Sequence, residues 1–216
     1  MLLENNFINK ERNKIMDLAE FVVLENYKHH SNGSLPINYY ESIEALYNEE
    51  VNYMDNSEVF ISRNAYGEIL GTIRVLKWNY KTKLPLEKIF GISPLDITGN
   101  TVLKSIWHIG RFAIKKDVRN INLLKKLMVQ AIAPICKNKN SIAFAECDSK
   151  LLRIMLAMGI KATVIGESVN YLGSETIPVC MTYEGLIDFY NDNKKLLLHT
   201  AEIKTHQFNL AQKNLA

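Results

Sequence analysis

Trp107-His-Ile-Gly-Arg-Phe-Ala-Ile-Lys-Lys-Asp-Val-Arg-Asn-Ile-Asn-Leu-Leu-Lys-Lys126 is the stretch on which the fold turns. It continues a run from Ser105 to Ile114, SIWHIGRFAI, whose β-branched and aromatic residues predict a strand. From Leu123 onward, Leu124, Leu127, Met128, Ala131, Ile132 and Ile135 recur at helical spacing, which predicts a strong amphipathic helix with Pro134 as an irregularity near its end. Between them lies a basic turn. Lys115, Lys116 and Arg119, joined by Lys125 and Lys126, stand against one acid, Asp117. Where a strand runs out into a helix, unpaired backbone N–H groups and the positive end of the helix dipole suit a pyrophosphate. On charge alone, the same run reads as a solvated charged turn.

Outward from this stretch the periods alternate. Phe7, Ile8, Ile15, Leu18, Ala19, Val22 and Val23 predict an amphipathic helix over 7–28, ended by the turn residues SNGSLP at 31–36. ESIEALYNEEV at 41–51 is ambiguous and reads as a short helix. The segments 58–63 and 69–78 read as strands joined by a hairpin turn at Asn64-Ala-Tyr-Gly67, and 79–104, with Pro85 and Pro94, as a long excursion. Downstream come a strand at 141–145, a helix through Leu151, Leu152, Met155 and Leu156 capped by Gly159, and strands at 162–165 and 176–183. Residues 1–185 are expected to form one domain, with a polar helical extension over 186–216. The order of elements predicts an α/β (α+β) architecture: a mixed, mostly antiparallel sheet flanked by helices.

Composition narrows the function. Over 216 residues the formal net charge is +3 and aromatic residues are not interleaved with basic ones, which argues against a nucleic-acid binder. Cys136, Cys147 and Cys180 lie far apart with no ligand spacing, so they read as reduced thiols. With no signal peptide and no apolar run of about 18 residues, a cytoplasmic protein without a membrane span is expected. GxGxxG, Walker A, GxSxG and HExxH are absent, and no metal site is expected; His29-His30 reads as a surface pair.

The order of elements and several motifs resemble the GNAT superfamily, over roughly residues 50–185. At the phosphate loop the chain has Arg119-x-x-Asn122-x-Leu124 where that superfamily has Arg/Gln-x-x-Gly-x-Gly/Ala, so the arginine is kept and both glycines are missing. Within the superfamily, the chain resembles the branch of autoinducer (acyl-homoserine-lactone) synthases and long-chain N-acyl amino acid synthases. Asp55-Asn-Ser-Glu-Val-Phe-Ile, Gly67-x-x-Leu-Gly-x-x-Arg74, Arg111-Phe-Ala-Ile and Tyr171-Leu-Gly-x-Glu-x-Ile-Pro-Val carry that resemblance. It implies an N-acyltransferase with no bound cofactor, drawing a fatty acyl group from a phosphopantetheine thioester on acyl carrier protein (or acyl-CoA) and passing it to a small amine such as an amino acid. An acetyl-CoA-dependent N-acetyltransferase and a non-catalytic acyl- or carrier-binding module are the alternatives.

The resemblance also assigns roles. Autoinducer synthases carry Glu-x-x-Arg where this chain has His108-x-x-Arg111, which favours the N-acyl amino acid branch. His108, Arg111 and Glu146 are the expected catalytic residues, with His108 as general base. Residues three apart on a regular strand face opposite ways, so Gly110 is the expected site of a bulge that turns His108 and Arg111 together and splays this strand from the next. Phe112, Ala113, Ile114, Lys115, Arg119, Asn122 and Leu123 are the expected donor-binding residues, with an oxyanion held by backbone N–H groups around Phe112 to Ile114. Arg74 and Arg111, charges inside apolar strands, need partners, for which Asp55 and Glu146 are candidates. Asp55 and Arg74 are the expected acceptor-binding residues, since a guanidinium fork suits an amino-acid carboxylate; an ion pair organising the sheet is the alternative. Phe112, Phe144, Met155, Leu156 and Met158 either line an acyl pocket or are plain core.

Overall fold

The computed structural model describes residues 2–4, 12–31, 34–99 and 105–197. The chain runs β1 (Leu2–Glu4), α1 (Arg12–His30), α2 (Tyr39–Tyr53), β2 (Ser57–Arg63), β3 (Ile69–Lys77), α3 (Pro85–Phe90), α4 (Pro94–Thr98), β4 (Ser105–Ile114), α5 (Ile121–Ile132) and β5 (Ser141–Asp148). It continues through α6 (Ser149–Ala157), β6 (Thr163–Val164), β7 (Val169–Tyr171), β8 (Ser174–Thr182) and α7 (Tyr183–Asn193). The expected start of the first helix, at Phe7 and Ile8, lies outside the described residues. The ambiguous stretch at 41–51 is the body of α2, and the excursion at 79–104 contains α3 and α4.

The strands form one sheet in the order β1-β2-β3-β4-β5-β8-β6, with β7 also on β8. Every pairing is antiparallel except β4 with β5. Alternation along β3 and β4 sends residues to two different environments. Ile73, Val75 and Ile109 face a core completed by α5, α6 and α7. Leu76, Ile106 and Phe144 face the other side, where Tyr53 of α2 joins Trp78, Leu84 and Leu86. A further cluster packs α1 and α2 on Val59, Ile61 and Ala113. Of the helical extension expected over 186–216, residues 198–216 lie outside the described residues; the part within α7 is helical and belongs to the core, with Leu186 and Phe189 buried.

Pro134 falls beyond the last residue of α5, where it interrupts no helical hydrogen bond. The cysteines are unpaired, and burial pushes the Cys147 thiol up to about 12. Among the described residues, no helix is long and apolar enough to cross a membrane and no group of side chains could hold a metal ion.

The central strands part half-way. β4 and β5 pair in parallel from Ser105↔Ser141 to Ile109↔Ala145 and no further. Beyond that, Gly110–Ile114 pairs only with β3, while Glu146–Asp148 pairs only with β8. The register between β3 and β4 slips there: Thr72 opposes Ala113, but Arg74 opposes Gly110. Three steps on β4 answer two on β3, which is a bulge. Arg111 occupies it with φ at +54°, a left-handed conformation that costs a non-glycine residue free energy and persists only where its side chain is firmly held.

Candidate active site

The wedge between the parted strands is a cavity of about 450 Å³. Its walls come from β4 beyond the bulge, the end of β5, the first turns of α6, the last turns of α1 and the β7–β8 hairpin. Phe112, Ala113 and Ile114 line it, as do Arg111, Glu146 and Tyr171. Of the residues expected to hold an acyl chain, Phe112 is on the wall. Phe144 and Met155 are buried elsewhere, Leu156 is exposed and Met158 is half-buried.

Behind the Glu146 wall runs a chain of charged and polar groups. Arg74, opposite Gly110, and His108, two residues before it, share one face of the sheet with Glu146. Arg74 Nη2 lies 3.1 Å from His108 Nδ1, and His108 Nε2 lies 2.8 and 3.0 Å from the Glu146 oxygens. A guanidinium can only donate, so His108 Nδ1 accepts and the ring proton sits on Nε2, from which it is donated to Glu146. Gly110 makes this packing feasible. A Cβ there would stand 2.9 Å from His108 Cε1 and 3.2 Å from Arg74 Nη2. His108 is 1% exposed and does not line the cavity, whereas the Glu146 side chain is 10% exposed and does.

The arginines are tied to α2. Arg74 donates from Nη1 to Glu50 Oε1 at 2.5 Å, and Arg111 donates from Nε to the same oxygen at 2.6 Å. Arg111 Nη2 also pairs with Glu49, which accepts from Lys88 Nζ at 2.8 Å. Tyr53 stacks under Arg74 and Lys88, each 4.9 Å from its ring centroid. Burial opposes the charge on Glu49, but Arg111 and Lys88 outweigh it and hold the carboxyl down at about 2. Burial likewise works against Arg111, and Glu50 and Glu49 raise it above the ordinary arginine value. Arg74, completely buried, is lowered by that burial against the pull of Glu50.

Several expectations are therefore corrected. Asp55 sits exposed on the turn after α2 and partners neither arginine. Their partners, Glu49 and Glu50, escaped notice, although a signal existed: Ile43, Leu46, Glu50 and Tyr53 form one helical stripe, and a carboxylate within a buried stripe needs a cation. Arg74 is 0% exposed and cannot touch an acceptor. His108 and Arg111 do not meet; each leads to Arg74 by a different route.

The basic turn also differs from expectation. Asn120 caps α5, its side chain accepting from the backbone N–H groups of Asn122 at 2.9 Å and Leu123 at 3.2 Å. The amides that would cradle a pyrophosphate are thus already occupied. Lys115 reaches Glu68, and Lys116 donates its amide to Glu25 and its Nζ to the Lys28 carbonyl. Arg119 is exposed. The histidine pair read as surface residues is exposed, and it also lines the cavity: His29 Nε2 donates to the Ile114 carbonyl at 2.9 Å, and His30 Nε2 lies 3.3 Å from Asp148.

No protein-family model and no curated protein matches the chain. Solved structures do. FeeM, an N-acyl amino acid synthase from uncultured soil microbes, aligns with a TM-score of 0.55 at 14% identity, covering 78% of this chain and 90% of its own. BjaI, a CoA-dependent acyl-homoserine lactone synthase solved with SAM and isopentyl-CoA, also aligns at 0.55 and 14%, covering 88% and 87%. A GNAT-family acetyltransferase from Staphylococcus aureus Mu50 aligns at 0.51 and 14%, covering 80% and 95%. The chain has the GNAT fold, in the form these synthases share.

Proposed function

We propose that the protein is an N-acyltransferase that moves an acyl group from a phosphopantetheine thioester to a small amine. The observation that carries this reading is the wedge itself: a cavity of about 450 Å³ that opens where β4 leaves β5, with one carboxylate, Glu146, at the fork. Its volume is in the range of small-molecule sites. Backbone alternation supports the donor position. Lys115 N–H points to β3, where it meets the Leu70 carbonyl, so the polar groups of Ile114 and Phe112 face the wedge. An extended pantetheine arm can pair there with Phe112 as a strand would, the Ile114 carbonyl being already taken by His29.

Glu146 serves as the general base, with His108 and Arg74 as positioning residues. Arg74 fixes the ring tautomer, and the His108 Nε2–H then orients the carboxylate. The acceptor enters as an ammonium and loses one proton to solvent. Its nitrogen attacks the thioester carbonyl, and Glu146 takes the second N–H proton as the C–N bond forms. The Phe112 N–H stabilises the oxyanion, the C–S bond breaks, and the thiolate leaves with the proton from Glu146. Products are an amide, a thiol and one released proton.

The capped start of α5 favours acyl carrier protein over coenzyme A as donor. Asn120 fills the place of a pyrophosphate, while exposed Arg119 and neighbouring Lys116 remain for the acidic surface of a carrier and its single phosphodiester. Thiol release measured from acyl carrier protein and from acyl-CoA, each with and without amines, tests this. Amine-dependent release faster from the carrier is expected. Release that ignores the amine, or none from either donor, would defeat the acyltransferase reading.

A further inference from the structure

Every cation of the buried network is already answered by a carboxylate. Arg74 is fully buried against Glu50, and Lys88 is held by Glu49. Arg111, which does line the cavity, is gripped by Glu50 through Nε and by Glu49 through Nη2. A guanidinium fork held by two carboxylates has no pair of donors to offer a third. The cavity wall leans the other way. Asp148 has His30 beside it, but among the described residues Glu146 accepts only from His108, and Glu175 only from the Ser168 hydroxyl. Among the described residues neither carboxylate is paired with a lysine or an arginine, and both line the cavity.

Resting on the acyltransferase reading above, we infer that the acceptor is a cationic amine with no carboxylate beside its amino group. An ammonium brought to Glu146 supplies the cation the wall lacks and presents its N–H protons to the base. A carboxylate attached one carbon away would arrive at the same wall, among like charges and without a free donor fork. A buried, unpaired carboxylate is costly, and like-charge juxtaposition is an efficient means of rejection. Lys150, on the first turn of α6, is the cavity-lining lysine that no carboxylate holds among the described residues, and its side chain is exposed to solvent.

Amines that differ only by the carboxylate decide the matter: histamine against histidine, tyramine against tyrosine, agmatine against arginine. Calorimetric binding to the enzyme without donor reads the preference independently of turnover. The decarboxylated member should bind at least tenfold more tightly in any pair that binds, and should show the same advantage in kcat/KM. Equal or tighter binding by the amino acid would overturn the inference. Loss of that binding in Lys150→Ala would then identify Lys150 as the carboxylate's receptor. Failure of every amine to bind at millimolar concentration would overturn it as well. Amine-dependent thiol release decides separately on the parent reading, so a preference for amino acids with intact turnover removes only the acceptor class.

Discussion

Two charged regions flank the bulged half of β4, and they behave in opposite ways. On the α2 side, Glu49, Glu50, Arg74, His108 and Arg111 are buried or nearly so, and they hold one another across three elements. On the α5 side, Lys115, Lys116 and Arg119 sit in water or on single partners at the surface. Both regions looked equally charged in the sequence. The difference is desolvation. A buried charge must find a specific partner, so its position is fixed to a fraction of an ångström, while an exposed charge is free and contributes mainly long-range attraction. The buried region can therefore position a base and the exposed one can only steer a donor.

The contrast should appear first in stability. Glu50→Ala leaves Arg74 and Arg111 facing each other in the interior, and removing one partner from a buried pair typically costs about 3–5 kcal/mol. Urea unfolding should show a loss of that size. A loss under about 1 kcal/mol would mean that the pairs are not formed in solution.

Acid should expose the same region next. The Glu49 carboxyl is held at about 2, below its ordinary 4.5, so its contribution is fully present above pH 4.5 and disappears as pH falls through 2. The side chain is 14% exposed, and the depression corresponds to about 3 kcal/mol at most. Stability of the wild type should fall over that window, and Glu49→Gln should remove this part of the fall. Parallel acid curves for the two proteins would place Glu49 outside the ion pair.

The smallest change is expected on the α5 side. Reversing Arg119 and Lys125 should move stability by no more than about 0.5 kcal/mol, as usual for surface sites. It should instead raise the apparent KM for acyl carrier protein at low salt, with the difference shrinking as ionic strength rises. A KM unchanged by the reversals would return these residues to a plain solvated face.

What the sequence made legible follows the same division. The strand–turn–helix around β4 and the bulge beside Gly110 are local, because periodicity and a single glycine encode them, whereas the parting from β5 was implied by the family resemblance. The left-handed residue of the bulge is Arg111, and the glycine is needed for the space it leaves beside His108. The partners of the arginines were not legible. Glu50 is 24 residues from Arg74 and 61 from Arg111, on a helix whose own pattern was ambiguous, and no local rule links such distances. Asp55 is adjacent to a strand, yet helix α2 turns Glu50 inward on the stripe with Tyr53 and leaves Asp55 outside. Asn120 was legible but overlooked: an asparagine just before an apolar-periodic run is an ordinary helix cap.

The central claim is that Glu146 takes the proton and that His108, locked by Arg74, only orients it. The pH dependence of amine-dependent thiol release in wild type, Glu146→Gln and His108→Asn tests this most directly. Glu146→Gln should lower kcat by roughly 10²–10⁴-fold and remove the acidic limb of the profile. His108→Asn should keep that limb and lower kcat less, since the ring orients the carboxylate without taking the proton. The opposite pattern, a limb abolished in His108→Asn and intact in a near-normal Glu146→Gln enzyme, would make the histidine the base and contradict the relay.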